Sequence, residues 1–208
     1  MSKPRGPGAP GPSQPHPAPG APGLSKARPP GAPGGASPQA SATPGDGRTE
    51  PTAEQVGAML EQAQQLSRRA MEAGHHPFGA LLVAADHETV LLEQGNVDSV
   101  NHAEAVLARA AAARYAPAEL WPCTLVTTVE PCAMCAGTQY WANIGRVVYG
   151  IAERTLLEAT GNHAANPTLD LPCRHVFARG QKDIRVIGPV PAFAEPIGAL
   201  HRRYWRAR

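Results

Sequence analysis

The chain has 208 residues, of which 42% are hydrophobic, and its formal net charge is +2. This length allows one domain with a full hydrophobic core and leaves some chain to spare. The sequence contains no apolar run of eighteen residues, which argues against a membrane-spanning helix.

The spare chain lies at the front, in residues 1–50. This stretch contains 13 Pro and 10 Gly and hardly any aliphatic side chain. It cannot bury enough apolar surface to offset the cost of ordering, so we expect a disordered tail ahead of a folded domain at 51–208. It also lacks the apolar core of a secretory signal. Five basic and two acidic residues give the tail a charge of +3, which leaves −1 for the folded domain.

Residues 51–208 predict helices that alternate with strands. A capping box at 52–55, followed by apolar positions at helical spacing, predicts a first helix that ends near residue 73. Strands are predicted at 79–85, 89–93, 123–129, 146–151 and 184–187, and the first two form a hairpin. Helices are predicted from His102 to residue 113, from Cys132 to about 141, and over 153–160 and 193–206. This order predicts a central sheet with helices on both faces.

Two short motifs at the starts of predicted helices point to a chemistry. One is a His-x-Glu motif at 102–104, and the other is a Pro-Cys-x-x-Cys motif at 131–135. The imidazole and two thiolates of His102, Cys132 and Cys135 make three zinc ligands. A site with three protein ligands leaves a position for water, as catalytic zinc sites do. Glu104 can face that water without binding the metal, and we expect it to carry protons.

The helix starts support this assignment. Pro131 suits the first turn of a helix because its ring already fixes a helical φ and its missing N–H would be unpaired there. The positive ends of the two helices would then point at the metal, where they favour thiolate over thiol.

Two other interpretations of the cysteines stay open. A redox motif would leave His102 and Glu104 unexplained. A structural zinc site would need a fourth ligand, which Cys173 or Cys123 could supply, although a thiol in an apolar strand such as 123–129 is more often a small buried hydrophobe. With two of its four cysteines assigned to zinc, the chain has no disulfide framework, which fits a reducing, cytoplasmic compartment.

The motifs and the order of elements resemble the cytidine deaminase-like superfamily over about residues 53–205. The resemblance implies a three-layer α/β/α sandwich around a five-stranded mixed sheet, with zinc as the cofactor. The stretches 77–80 (Pro-Phe-Gly-Ala) and 140–142 (Tyr-Trp-Ala) are similar to bacterial guanine deaminases. The stretches 135–137 and 144–150 are more similar to bacterial tRNA adenosine deaminases. Both branches usually carry Asp-Pro-Thr-Ala before His-x-Glu, where this chain has Asp-Ser-Val-Asn at 98–101.

The same resemblance implies substrate contacts. Asn96 matches an asparagine that contacts the bound base, and Phe78 and Trp141 would stack on a planar base. The geometry of the two helix starts separately predicts that the backbone N–H groups around Ala103 and Cys132 help to hold the tetrahedral species. Three acidic residues could accept a hydrogen bond from the N–H edge of a purine: Glu153, Glu158 and Asp170. Of these, Asp170 is the expected contact. Asn96 could equally be a turn former, Phe78 and Trp141 could be core residues, and each acid could be a solvated side chain.

The sequence therefore predicts a zinc-dependent hydrolytic deaminase of a purine base or nucleoside, with guanine favoured, in a cytoplasmic homodimer. The alternatives are a tRNA adenosine deaminase, a cytosine or cytidine deaminase, and a non-catalytic zinc-stabilised module closed by Cys173. An arginine cluster at 202–208 fits tRNA. The charge of −1 on the folded domain argues against it, because phosphate binding favours a basic surface.

Overall fold

The computed structural model describes residues 48–161 and 163–207. The helices are α1 Ala53–Glu72, α2 Ala103–Arg114, α3 Pro117–Leu120, α4 Ala133–Ala142, α5 Glu153–Thr160, α6 Cys173–Phe177 and α7 Ala194–Arg206. The strands are β1 Gly79–Val83, β2 Val90–Gly95, β3 Thr124–Val129, β4 Arg146–Ile151 and β5 Arg185–Ile187. The tail expected over residues 1–50 lies, up to residue 47, outside the described residues.

The five strands form one mixed sheet in the order β2-β1-β3-β4-β5. β1 runs antiparallel to both of its neighbours, while β3, β4 and β5 run parallel to one another. Successive side chains on a strand face opposite sides, so Val147 and Val148 enter two different hydrophobic clusters. Helices α2, α3, α4 and α6 pack on one face, and α1, α5 and α7 on the other. The predicted three-layer α/β/α sandwich with a five-stranded mixed sheet is confirmed.

The first helix begins as the sequence predicts. The Thr52 hydroxyl accepts from the backbone N–H of Gln55, and the Gln55 side chain accepts from the backbone N–H of Thr52. Two short helices, α3 and α6, fall in segments for which no helix or strand is predicted from the sequence. Helix α3 starts at Pro117, and the Glu119 carboxylate accepts from the backbone N–H of Ala116 at 2.7 Å.

Helix α1 and strand β1 approach very closely at Gly79. A Cβ at this position would collide with the carbonyl oxygen of Ala63 and the backbone nitrogen of Ser67. The Ser67 hydroxyl also donates to the carbonyl of Pro77. Phe78, which lies between Pro77 and Gly79, is therefore held in a fixed place beside the carboxyl ends of β2 and β3.

The packed part of the chain starts before the boundary expected at residue 51. Arg48 is 9% exposed; it donates to the carbonyl of Gly145, and its guanidinium lies 4.3 Å from the centroid of a Trp121 ring. The carbonyl of Thr49 accepts from the buried Arg146 guanidinium. Composition alone assigns these residues to the tail. In the structure, their backbone and charged side chains bind residues at the amino-terminal ends of β4 and β5.

No helix in the described ranges has both the length and the apolar character needed to cross a membrane.

Candidate zinc centre and active site

The two motifs meet because α2 and α4 lie side by side on the same face of the sheet. His102 and Cys132 are the N-cap residues of these helices, and both have extended backbone angles. Neither side chain makes a capping hydrogen bond to its own helix. Both side chains are therefore directed to a shared point between the helix ends, where Cys135, one turn into α4, joins them.

The three side chains have the spacing of a tetrahedral zinc site. The Nδ1 atom of His102 lies 3.7 Å from the Sγ of Cys132 and 3.6 Å from the Sγ of Cys135. All three ligand atoms lie within 4.8 Å of one another. Ordinary Zn–S and Zn–N bond lengths at tetrahedral angles give an N···S distance of about 3.6 Å. The residues present therefore fit zinc.

A hydrogen bond outside the cluster fixes which nitrogen faces the metal. The Nε2 atom of His102 lies 3.1 Å from the carbonyl oxygen of Ser99, which can only accept. The proton of a neutral imidazole must then sit on Nε2, so the lone pair of Nδ1 points to the thiols. A hydrogen bond from Cys135, and then one from His102, lowers the pKa of Cys132 to about 4, which makes it a thiolate at neutral pH.

Glu104 lies behind this cluster and is 4% exposed. Its Oε1 accepts a hydrogen bond from the Thr127 hydroxyl at 3.0 Å, and its Oε2 lies 3.6 Å from the Sγ of Cys135. Burial raises the pKa of Glu104 above its ordinary value. A buried carboxyl with a raised pKa, held beside a metal cluster, has the properties of a group that takes up and returns protons.

Phe78 lies beside His102, and Asn96 is hydrogen-bonded to the backbone of Phe78. The ring of Phe78 is parallel to that of His102, with an interplanar angle of 7° and a centroid separation of 6.5 Å. The backbone N–H of Asn96 donates to the carbonyl of Phe78 at 3.0 Å, and the Asn96 side chain is buried. Ala103, the first residue of α2, is also fully buried. The structure thus places Phe78 beside His102, Asn96 beside the backbone of Phe78, and Ala103 directly after His102.

A second buried carboxyl, on Glu153, lies near Glu104. Glu153 is 7% exposed, and burial, with the nearby charges of Cys132 and Glu104, raises its pKa to about 8. Its backbone N–H donates to Glu130, whose other oxygen accepts from the backbone N–H of Cys173. Glu130 follows β3 and Glu153 follows β4, and these strands are parallel. Residues that follow parallel strands meet at the same end of the sheet, so the strand order could have predicted that the two carboxyls lie close together.

For Trp141 and Asp170 the structure differs from the expectation. Trp141 is 81% exposed and lies nine residues after Cys132, which is about 13 Å along the axis of α4. Its ring contacts are with Tyr140 and Lys182. The Asp170 carboxylate forms a surface ion pair with Arg154 at 2.9 Å. Within one chain, neither side chain belongs to the group of zinc ligands formed by His102, Cys132 and Cys135.

The two remaining cysteines do not complete a structural zinc site. Among the described residues, the ligand group contains His102, Cys132 and Cys135 and no fourth member. Cys173 is fully buried at the start of α6, and Cys123 donates its thiol to the carbonyl of Glu119. Burial raises the pKa of both thiols, so they stay protonated. The interpretation that Cys173 closes the site is therefore not supported.

Comparisons with known proteins agree with this geometry. The family model of the cytidine and deoxycytidylate deaminase zinc-binding region matches residues 53–151. The chain is 32% identical to a probable cytosine deaminase of Schizosaccharomyces pombe, over 71% of this chain and 91% of that protein. It is 34% identical to a tRNA-specific adenosine deaminase of Haemophilus influenzae, over 46% of this chain and 57% of that protein.

A solved structure of a guanine deaminase from Nitrosomonas europaea superposes with a TM-score of 0.58 and 26% identity, covering 72% of this chain and 84% of that one. Together with the cytosine deaminase relative, this match extends the family likeness well beyond the zinc-binding region. The chain therefore belongs to the cytidine deaminase-like superfamily, the zinc-dependent hydrolytic deaminases of nucleobases and nucleosides.

Proposed function

We propose that this deaminase acts on a free purine base and that guanine is its preferred substrate. The observation that carries the proposal is Glu153. Its carboxyl is buried near Glu104, and among the described residues no side chain or backbone group donates a hydrogen bond to it. A buried carboxyl without such a partner is costly unless a ligand supplies the donor.

Guanine matches this second carboxyl. The carbon that carries its amine stands between a ring N–H, which donates, and a ring nitrogen, which accepts. The reacting carbons of adenine and cytosine have only an accepting nitrogen and a carbon beside them. A carboxyl oxygen of Glu153 would accept the guanine N–H, while Glu104 serves the accepting nitrogen. The likeness to a guanine deaminase structure over 72% of the chain points the same way.

The roles of the other residues follow from their places. His102, Cys132 and Cys135 would hold zinc, which when bound would lower the pKa of a water molecule to about 7. Glu104 would take one proton from this water while the water oxygen bonds to the carbon that carries the amine, and would pass that proton to the accepting ring nitrogen. Glu104 would then move the proton of the new hydroxyl group to the amine, so that the C–N bond breaks, ammonia leaves and a keto base remains. Phe78 packs on the face of the base, Asn96 binds its edge, and the backbone N–H of Ala103 stabilises the negative charge that develops.

Cytosine is the second candidate substrate, because the fission yeast relative is matched over 91% of its length. A tRNA adenosine is favoured less. The arginines of α7 that fit a tRNA contact are partly neutralised, since Arg202 pairs with Glu195 at 2.7 Å. Residues 51–208 also carry 14 basic and 15 acidic side chains, which is not the surface of a phosphate-binding protein.

The test is ammonia release from guanine, from cytosine and from an anticodon stem-loop that carries adenosine, at one ionic strength. We expect kcat/KM to be highest for guanine. A higher value for cytosine or for the stem-loop contradicts the assignment. The variant Glu153→Ala removes the acceptor for the guanine N–H and should lower kcat/KM for guanine about ten- to a hundredfold. The matched control is Glu158→Ala, at an exposed position on the same helix, which should have the wild-type rate.

We also propose that the enzyme is a homodimer, and a cytoplasmic location remains our expectation. A groove of about 500 Å³ runs between α2 and α4 and is lined by Ala108, Ala112, Met134, Gly137 and Trp141. An exposed apolar groove of this kind is typical of a protein contact. Sedimentation analysis should show a dimer for the wild type and a monomer for Trp141→Glu. Leu169→Glu, at another exposed apolar position, is the control and should remain dimeric.

A further inference from the structure

The loop between β2 and α2 joins a proposed substrate contact, Asn96, to a zinc ligand, His102. In its middle, the Asp98 carboxylate accepts three hydrogen bonds. Oδ1 accepts from the backbone N–H of Val100 at 2.8 Å and from that of Asn101 at 2.7 Å. Oδ2 accepts from the side-chain amide of Asn101 at 2.8 Å. One carboxylate therefore fixes the path of the chain immediately before the zinc ligand.

The turn that Asp98 closes presents two backbone carbonyls to the site. The carbonyl of Asp98 accepts from the side-chain amide of Asn96 at 3.1 Å. The carbonyl of Ser99 accepts from Nε2 of His102 at 3.1 Å. The first contact leaves the side-chain oxygen of Asn96 available to a ligand, and the second leaves Nδ1 of His102 available to zinc.

We propose that Asp98 is a positioning residue that acts through this turn on both His102 and Asn96. Its effect on Asn96 rests on the proposed function, whereas its effect on His102 does not. Asp98 is exposed, so its contribution comes from the geometry of the turn and not from a buried charge. The side-chain amide of Asn101 is the main cause that lowers the pKa of Asp98 to about 2, so all three acceptor contacts persist at neutral pH.

The chain contains a matched control at the turn between β1 and β2. Asp86 is also exposed, and its carboxylate accepts from the backbone N–H groups of Glu88 and Thr89 and from the Thr89 hydroxyl, at 2.6 to 3.0 Å. The pKa of Asp86 is likewise lowered to about 2, chiefly by the Thr89 hydroxyl. The two turns have the same construction, but only the Asp98 turn leads into a zinc ligand.

The experiment compares Asp98→Ala with Asp86→Ala in the zinc-loaded, full-length protein. We would measure the rate of zinc transfer to a chromogenic chelator, the melting temperature, and kcat and KM for the base that the enzyme accepts. Loss of an outer hydrogen-bond partner of a metal ligand typically weakens metal binding ten- to a hundredfold. Asp98→Ala keeps the Ser99 carbonyl but releases the turn that positions it, so we expect an effect at the lower end of this range: zinc release about tenfold faster, and a KM that rises more than kcat falls. Asp86→Ala should lower the melting temperature to a similar extent and release zinc at the wild-type rate.

Equal zinc release by the two variants overturns the proposal. If Asp98→Ala does not fold, Asn101→Ala removes only the side-chain contact at 2.8 Å and should shift zinc release in the same direction by a smaller factor. Wild-type zinc release by Asn101→Ala then counts against the proposal. The zinc measurement needs no substrate, so it separates this proposal from the assignment of guanine. Guanine turnover can fail while zinc release still responds to Asp98, and the reverse can also occur.

Discussion

The hydroxyl of Thr127 donates a hydrogen bond to Oε1 of Glu104 at 3.0 Å, and this contact joins the middle of the sheet to the carboxyl behind the zinc ligands. Both residues are buried. The carboxyl is therefore held by a strand as well as by its own helix, so it does not rotate away from the metal cluster.

Glu104→Gln should abolish most activity and leave the zinc in place. The amide has the shape of the carboxyl but cannot carry a proton, and general acid–base groups contribute between about a hundredfold and ten-thousandfold in rate. Ammonia release should fall by such a factor while elemental analysis shows an unchanged zinc content. A variant with close to the wild-type rate rules out Glu104 as the proton carrier.

Thr127→Val should lower kcat about tenfold, because it removes a buried hydrogen bond to the Glu104 carboxyl and leaves the volume of the side chain unchanged. Thr128→Val is the matched control. Thr128 is the next residue on β3, is also fully buried, and its hydroxyl has no hydrogen-bond partner among the described residues. Steady-state kinetics should show a wild-type kcat for Thr128→Val. Similar losses in both variants would mean that the effect is one of packing.

Deletion of residues 1–47 and deletion of residues 1–50 should have different effects. The second deletion removes Thr49 and Glu50, whose carbonyl and carboxylate accept from the fully buried Arg146. Leaving this guanidinium without those partners should cost about 2 kcal/mol. For a domain of this size the melting temperature should then fall by about 4–8 °C.

Calorimetry of the two truncated proteins checks this prediction. We expect the protein that starts at Arg48 to melt at the wild-type temperature. Equal melting temperatures for the two proteins would show that residues 48–50 contribute nothing to the fold.

His201 should make the fold sensitive to mild acid. Burial, with a smaller contribution from His76, lowers the pKa of His201 to about 3, whereas an unfolded histidine titrates near 6.5. Between these values the unfolded chain binds one more proton than the folded chain, so stability falls as the pH drops from about 6.5 towards 3. At pH 5 this contribution is about 2 kcal/mol.

His201→Gln removes the titrating group and keeps an acceptor for the Trp205 indole N–H, which donates to Nδ1 of His201 at 3.2 Å. Urea unfolding at pH 7 and pH 5 gives, for each protein, the decrease in the free energy of unfolding between the two pH values. This decrease should be larger in the wild type than in His201→Gln by about 2 kcal/mol. Equal differences would exclude His201 as the source of acid sensitivity.

The zinc ligands and most elements could be predicted because their signals are local. The capping box at Thr52 acts within one helical turn. The His-x-Glu and Cys-x-x-Cys spacings likewise determine which side chains face one another at the start of a helix. Such signals depend on few other parts of the chain. The expectation that Pro131 stands in the first turn of its helix is wrong, because Cys132 is the N-cap of α4 and Pro131 precedes it.

The remaining features depend on contacts between distant segments. Glu153 becomes buried only when β3 and β4 pair in parallel and bring Glu130 next to it. Trp141 is of a residue type that often stacks on bases, but it lies on the solvent-facing side of α4 and is exposed. Arg48 stands in a stretch of tail-like composition, and its partners Gly145 and Asp183 are 97 and 135 residues away along the chain.

The zinc content and ammonia release of Cys132→Ser test whether His102, Cys132 and Cys135 hold a catalytic zinc. We expect one zinc per chain in the wild type, and loss of most of the zinc together with the activity in the variant. Cys123→Ser, in which the serine hydroxyl can still donate to the carbonyl of Glu119, should keep both. A Cys132→Ser protein with full zinc occupancy, or with the wild-type rate of ammonia release, would contradict a catalytic zinc held by His102, Cys132 and Cys135.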